Sequence, residues 1–237
     1  MCGRVQIRID SRAAAEAFQA SVVCPPALFG RFNAAPSQRL PLLRPGGGGG
    51  GRELAAGTWG FPLGGGSGPR PINARSETAL RKPAFREAVL RRRVALPVTG
   101  FYEWKKPDAS AAPPLFGGDP DARKKAAWLI EAADGAPFAL AAVTAPGAEQ
   151  APGFCVLTTR PNAAMAGIHD RMPVILGAAA LGRWLDPATP EAGLPGLMEP
   201  VPAAALRFTP VSDRINKPAH EGPGAVEPVA ESVPGRD

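Results

Sequence analysis

The alternation of apolar and polar positions changes period several times along the chain, and each change marks an element. "DSRAAAEAFQA" at 10–20 predicts a short helix, with Asp10 or Ser11 as its cap and an alanine-rich body behind it. "RFNAAPSQRLPLL" at 31–43 reads as a turn entering a strand. The run "RPGGGGGG" at 44–51 then forms a hairpin tip between "LPLL" and "AAGTWGF". A second loop, "GGGSGPRP" at 64–71, leads into "INARSE". Pro83 opens a helix with Phe85 and Val89 four residues apart on one face, and "RRRVALPVTGFYEW" at 91–104 reads as one long strand.

Strands follow at 127–133 and 138–143, joined by the turn signal "DGAP", and another at 153–159. Pro161 opens a helix through Ile168, followed by a strand at 172–176 and a helix at 178–185. Residues beyond 219 are rich in Pro, Gly and Glu and read as a flexible tail over 220–237, after one domain covering 1–219. Strands without regular βαβ alternation make this a β-rich α+β domain.

Composition narrows the function classes. The 237 residues suit one domain, and Gly 28 with Pro 29 calls for abundant loops. Apolar runs such as "FALAAV" at 138–143 are too short to span a bilayer, and the first twenty residues lack the apolar core of a signal peptide. A soluble, cytoplasmic protein with no membrane partner is expected. Cys2, Cys24 and Cys155 form no CxxC pair, so neither a disulfide framework nor a metal site is expected, and no cofactor. The net charge of +6 favours a polyanionic partner, although a basic solvated surface explains it equally well.

The candidate chemistry starts at "MCGR". Once Met1 is removed, Cys2 presents an α-amine and a thiol on adjacent carbons. Such an amine has a pKa near 7.7–8.0, so roughly a tenth is neutral at pH 7, against well under one per cent of a lysine. With an aldehyde it forms an imine, which the thiol closes to a five-membered thiazolidine. Glu103 in "GFYEW" lies between Tyr102 and Trp104, where partial desolvation raises a carboxyl toward neutrality and suits a proton shuttle. His169 in "GIHDRMPVIL" sits at an element end, whereas His220 lies in the predicted tail. "PINARSE" adds Asn73, which can orient a substrate, with Arg75 for phosphate, and Glu77. Each has an ordinary reading when taken alone: a cysteine on a frayed end, a Glu on the wet face of an edge strand, a structural His, a surface turn.

"MCGR", "RFNAAPSQ", "WGF" with "INARSETA", "GFYEWKK", "TTRPNAAMAGIHDRMPVIL" and a weaker "VSDRIN" occur in this order over residues 2 to about 216. Together they resemble the SRAP (SOS response associated peptidase) family of abasic-site processing proteins. The resemblance implies a mixed β-sheet curled into a partly open barrel-like core with flanking short helices. It also implies a sensor of abasic sites in single-stranded DNA that crosslinks itself to the lesion, acting as a monomer associated with the nucleoid when bound. On that basis Cys2 is the nucleophile and Asn73 orients its amine and the sugar. Glu103 manages protons at the amine and imine, and His169 assists ring opening, reversal or β-elimination. Arg4, Arg75, Thr158 and Arg171 are the DNA contacts. The family is also credited with autoproteolytic release of the residue before Cys2, and an N-terminal-nucleophile peptidase or amidase without DNA chemistry is the alternative. One departure stands out: the stretch at 62–71, where the family carries base-stacking tryptophans, keeps Pro62 but has no aromatic. Weaker DNA grip, or an altered preference for strand junctions, is expected without loss of the crosslinking chemistry, since stacking is worth roughly 1–3 kcal/mol per base.

Overall fold

The computed structural model describes residues 2–47, 51–64, 68–105, 126–147 and 151–229. The Pro-rich segment at 107–122, the centres of both glycine loops and residues 230–237 lie outside it.

Strand β1 (Val5–Ile7) is wholly buried and too short to show a period, so it has no signature in the sequence. Helix α1 (Ser11–Phe18) forms as expected: the Asp10 carboxylate accepts from the Ala13 amide, which leaves Ala14 and Phe18 to face the core. After β2 (Ala20–Val22) and β3 (Arg31–Ala34), strands β4 (Arg39–Pro45) and β5 (Arg52–Trp59) pair antiparallel from Arg39 opposite Thr58 to Pro45 opposite Arg52. The base of their tip is held by Gly46 N–H donating to Gly51 O at 3.1 Å. β6 (Asn73–Arg75) and α2 (Ser76–Ala79) occupy "NARSETA", and α3 (Pro83–Arg91) buries Phe85, Ala88 and Val89.

The long strand expected at 91–104 is two strands in different sheets. β7 (Arg93–Val98) joins β10 (Phe138–Thr144) and β4, whereas β8 (Gly100–Lys105) joins β1 and β9 (Ala126–Ala132). The crossing point is Thr99–Gly100. Thr99 N–H donates to Gln6 O at 2.8 Å, and a Cβ on Gly100 would lie 3.0 Å from Ile130 O and 2.8 Å from Leu129 Cδ1. An uninterrupted apolar pattern hides the crossing because both halves are buried.

β9 and β10 turn at Gly135, whose φ of 75° is the left-handed conformation that "DGAP" calls for. β11 (Gly153–Thr159) follows. α4 (Ala163–Ala166) starts later than expected, capped by Asn162 rather than opened by Pro161. The strand expected at 172–176 splits into β12 (Met172–Pro173) on β11 and β13 (Ile175–Leu176) on β10. α5 (Ala178–Leu185) forms as expected, followed by α6 (Leu194–Leu197) and β14 (Leu206–Val211).

The fold is mixed α+β with two sheets. One runs β14-β9-β8-β1-β3, and the other runs β12-β11-β10-β7-β4-β5-β2. A parallel pairing of Gly153 with Thr58 and Phe154 with Trp59 joins β11 back to β5, making part of the larger sheet a ring. Residues 220–229, expected to fray, pack on the smaller sheet. Glu221 accepts from the Phe32 and Asn33 amides and from Arg31 on edge strand β3, Ala225 is buried, and Pro228 bridges to Val211. Edge amides attract a partner, and a carboxylate within the chain supplies one. Among the described residues no helix is long and apolar enough to cross a membrane.

Candidate active site

β1 delivers Cys2. It pairs antiparallel with β8, Val5 opposite Phe101 and Gln6 opposite Gly100, and Tyr102 N–H donates to Arg4 O at 3.0 Å. Running that register back toward the chain start brings Cys2 alongside Glu103 and Trp104. Cys2 is fully buried rather than loose on a frayed end.

β6 delivers Asn73. It pairs parallel with β11, so Asn73 stands opposite Val156 and Arg75 opposite Thr158. Strand alternation puts Asn73 and Arg75 on one face and buries Ala74 on the other. The Asn73 Nδ2 donates to Cys2 O at 2.8 Å, which leaves Oδ1 buried with no hydrogen-bond partner.

Glu103 is 2% exposed. Along β8 it shares a face with Phe101, and its cross-strand neighbour is Trp128. Removal from water is the main reason its carboxyl is pushed up to about 7; the chain's amino terminus pulls the other way, and Asp170 adds to the rise. The Cys2 thiol is pushed well above the ordinary thiol range, first by burial and then by the negative charge of Glu103.

His169 follows α4, with Nε2 4.0 Å from Glu103 Oε2. The sequence therefore placed four residues far apart that the fold brings to one point: Cys2, Asn73, Glu103 and His169. His220 lies in the C-terminal segment, its Nδ1 2.9 Å from Arg214 O.

The four expected DNA contacts divide. Arg75 is exposed and on the Asn73 face. Arg4 instead turns inward, its Nη1 donating to Asn33 Oδ1 and to Ile215 O, both at 2.7 Å, with its guanidinium 5.7 Å from the Trp104 ring centre. Thr158 is fully buried. Arg171 forks onto both oxygens of Glu77 at 2.7 and 2.8 Å and also donates to Thr158 O at 2.6 Å. No pattern in the sequence distinguishes an outward arginine from one that braces carbonyls. Asn33 and Asp170 were missed as participants, although both lie inside the motifs "RFNAAPSQ" and "HDRMP". Pro62 packs against Gly153, where a Cβ would come within 2.4 Å of its Cδ. Among the described residues no group of three or more His, Cys, Asp or Glu is placed to hold a metal ion.

Known proteins share this sequence pattern and fold. The sequence model described as SOS response associated peptidase (SRAP) matches residues 1–218. The chain is 30% identical over 242 residues to the abasic site processing protein YedK of Escherichia coli, covering 97% of this chain and 100% of that protein. It is 32% identical over 165 residues to the abasic site processing protein YoqW of Bacillus subtilis, covering 68% of each. Among solved structures, a protein from Bacteroides thetaiotaomicron superposes with a TM-score of 0.76 at 21% identity, over 97% of this chain and 100% of the other, which speaks to fold. A phage-related protein from Bordetella bronchiseptica superposes with a TM-score of 0.67 at 29% identity, over 89% of this chain and 94% of the other.

Proposed function

The chain belongs to the SOS response associated peptidase family, and from that premise we propose that it processes abasic sites in single-stranded DNA by crosslinking residue 2 to the lesion. The observation that carries the reading is a chain of contacts drawn from three separate motifs: the Asn73 amide on Cys2, the buried Glu103 carboxyl close enough to perturb the Cys2 thiol, and the His169 imidazole 4.0 Å from that carboxyl. The relatives named as abasic site processing proteins support the substrate class.

Removal of Met1 leaves the Cys2 α-amine beside Glu103. A carboxylate whose pKa is near 7 takes a proton from the ammonium and leaves the amine free to attack C1′ of the ring-opened sugar. The carbonyl oxygen becomes a hydroxyl and departs as water with a proton from Glu103 or His169, forming an imine. The Cys2 sulfur then adds to the imine carbon and the thiol proton passes to nitrogen, closing the thiazolidine with no change of oxidation state. Asn73 holds the Cys2 carbonyl, and its unpaired Oδ1 accepts from the amine or a sugar hydroxyl. Burial makes the thiol a weaker acid and so favours the amine as first nucleophile. The same scarcity of thiolate disfavours the alternative of a peptidase or amidase, which needs a thiolate at neutral pH.

Arg75 contacts phosphate. Arg4, Thr158 and Arg171 act from inside, holding the strands that carry the site. Without an aromatic in the 62–71 loop the grip on DNA is weaker than a stacking loop provides.

Incubation with an oligonucleotide holding one abasic site, followed by a denaturing gel and intact mass, tests the reading. A heat-stable adduct is expected with the wild type, none with Cys2→Ala, and non-covalent DNA binding with both. Blocking the α-amine with an uncleaved N-terminal extension is expected to abolish the adduct although the thiol remains. Adduct formation by a protein confirmed to carry that extension would overturn the mechanism.

A further inference from the structure

Glu77 takes no part in the chemistry above, yet two links tie it to the imidazole. Its carboxylate receives both arms of the Arg171 guanidinium, Nη1 to Oε1 at 2.7 Å and Nη2 to Oε2 at 2.8 Å. The backbone N–H of Arg171 in turn donates to His169 Nδ1 at 3.0 Å. A ring nitrogen that accepts carries no proton, so this contact puts the imidazole's proton on Nε2, the nitrogen facing Glu103 at 4.0 Å. Asp170 Oδ1 lies 2.8 Å from the same Nδ1 and favours the opposite arrangement, because it can only accept. The two contacts are alternatives. We infer that Glu77 is a positioning residue which, by fixing Arg171, decides that the His169 proton resides on Nε2 and points at Glu103.

Exposure decides which contact prevails. Asp170 is 86% exposed, and water competes for its carboxylate, whereas the Arg171 side chain is 13% exposed and held at four acceptor atoms, two on Glu77 and two on Thr158. Hydrogen bonding from Arg171 keeps the Glu77 carboxyl below the usual carboxylate range, so the clamp stays charged through neutral pH. The charged groups around the imidazole and its brace are Asp170 on its own loop, Glu103 from β8, and Glu77 and Arg75 from the β6–α2 segment. That segment thus serves both ends of the reaction: Asn73 holds the nucleophile, and Glu77 orients the proton carrier.

This inference rests on the proposed crosslinking reaction only for its effect on rate; the position of the proton is measurable without DNA. Long-range ¹H–¹⁵N NMR of histidine-labelled protein reports the tautomer directly, and with two histidines in the chain His220→Gln assigns both. The wild type is expected as the Nε2–H form at His169, and Glu77→Gln as a mixture with substantial Nδ1–H. Glu77→Asp, which keeps the charge, is expected to restore part of the Nε2–H signal. At saturating abasic DNA, Glu77→Gln is expected to crosslink about tenfold more slowly with Kd within twofold of wild type. An unchanged His169 tautomer in Glu77→Gln overturns the inference. So does tighter DNA binding at an unchanged rate, which would make Glu77 a mask over an arginine for phosphate. If Glu77→Gln loses its native amide spectrum, Arg171→Lys replaces it: the ammonium cannot fork, and the same tautomer shift is expected. Absence of any adduct from the wild type would remove the crosslinking proposal and leave the tautomer result standing.

Discussion

Glu103 burdens the fold that it serves. A carboxyl moved from 4.5 to about 7 by burial binds its proton more tightly folded than unfolded, so folding takes up a proton between those values. Its contribution to stability is full below about pH 4.5 and declines as the pH rises through about 7, a difference on the order of 3 kcal/mol. Glu103→Gln removes the charge and keeps the shape. In urea unfolding it is expected to be more stable than wild type by about 1–3 kcal/mol at pH 8 and nearly equal at pH 4.5, while crosslinking about a hundredfold more slowly. A variant equally destabilised at both pH values would instead assign Glu103 a packing role. This residue was readable in advance, since flanking aromatics announce a desolvated carboxylate. Arg4 and Arg171 were not, because an arginine's role depends on which carbonyls and carboxylates the fold sets before it.

Elements of three residues escape a reading based on period. β1 and β6 carry Cys2 and Asn73 to the site, yet each is shorter than the stretch over which alternation shows. α1, with its Asp10 cap, and the β9–β10 turn at Gly135 were legible because local chemistry alone specifies them. The crossing from β7 to β8 was not, since it answers to two sheets absent from the local sequence. That crossing gives a sharp contrast between two glycines. Gly100→Ala drives a methyl against Leu129 and the Ile130 carbonyl and is expected to cost about 2–3 kcal/mol and slow crosslinking, because β8 also carries Glu103. Gly135→Ala meets nothing within 4 Å and strains only its positive φ, so about 1 kcal/mol is expected with the crosslinking rate unchanged. Equal rates for the two variants would separate the crossing from the site.

At the scale of the molecule, the surplus of positive charge is partly internal. Arg93 donates to the carbonyls of Trp184, Val89, Leu90 and Asp186, as Arg4 and Arg171 do to theirs, so fewer guanidinium groups face outward to meet an anion than the net charge of +6 suggests. The C-terminal segment closes the smaller sheet through Asn33, whose Nδ2 reaches Ile215 O, Lys217 O and His220 O while Oδ1 accepts from Arg4. Asn33→Ala removes the donor to the Lys217 and His220 carbonyls and leaves Arg4 and Ile215 O only their bond to each other. A loss of about 2–3 kcal/mol is expected, with faster amide exchange over 212–221 and in β1; exchange confined to 212–221 would detach the segment from the chain start. The placement of β1 between β3 and β8 has one more consequence. Under the proposed crosslink at residue 2, the DNA would be a rope tied to an inner strand, and tension would run along β1 and load the backbone bonds on both flanks together, in shear. A protein so attached would resist a pull where it is knotted in rather than peel away from an edge.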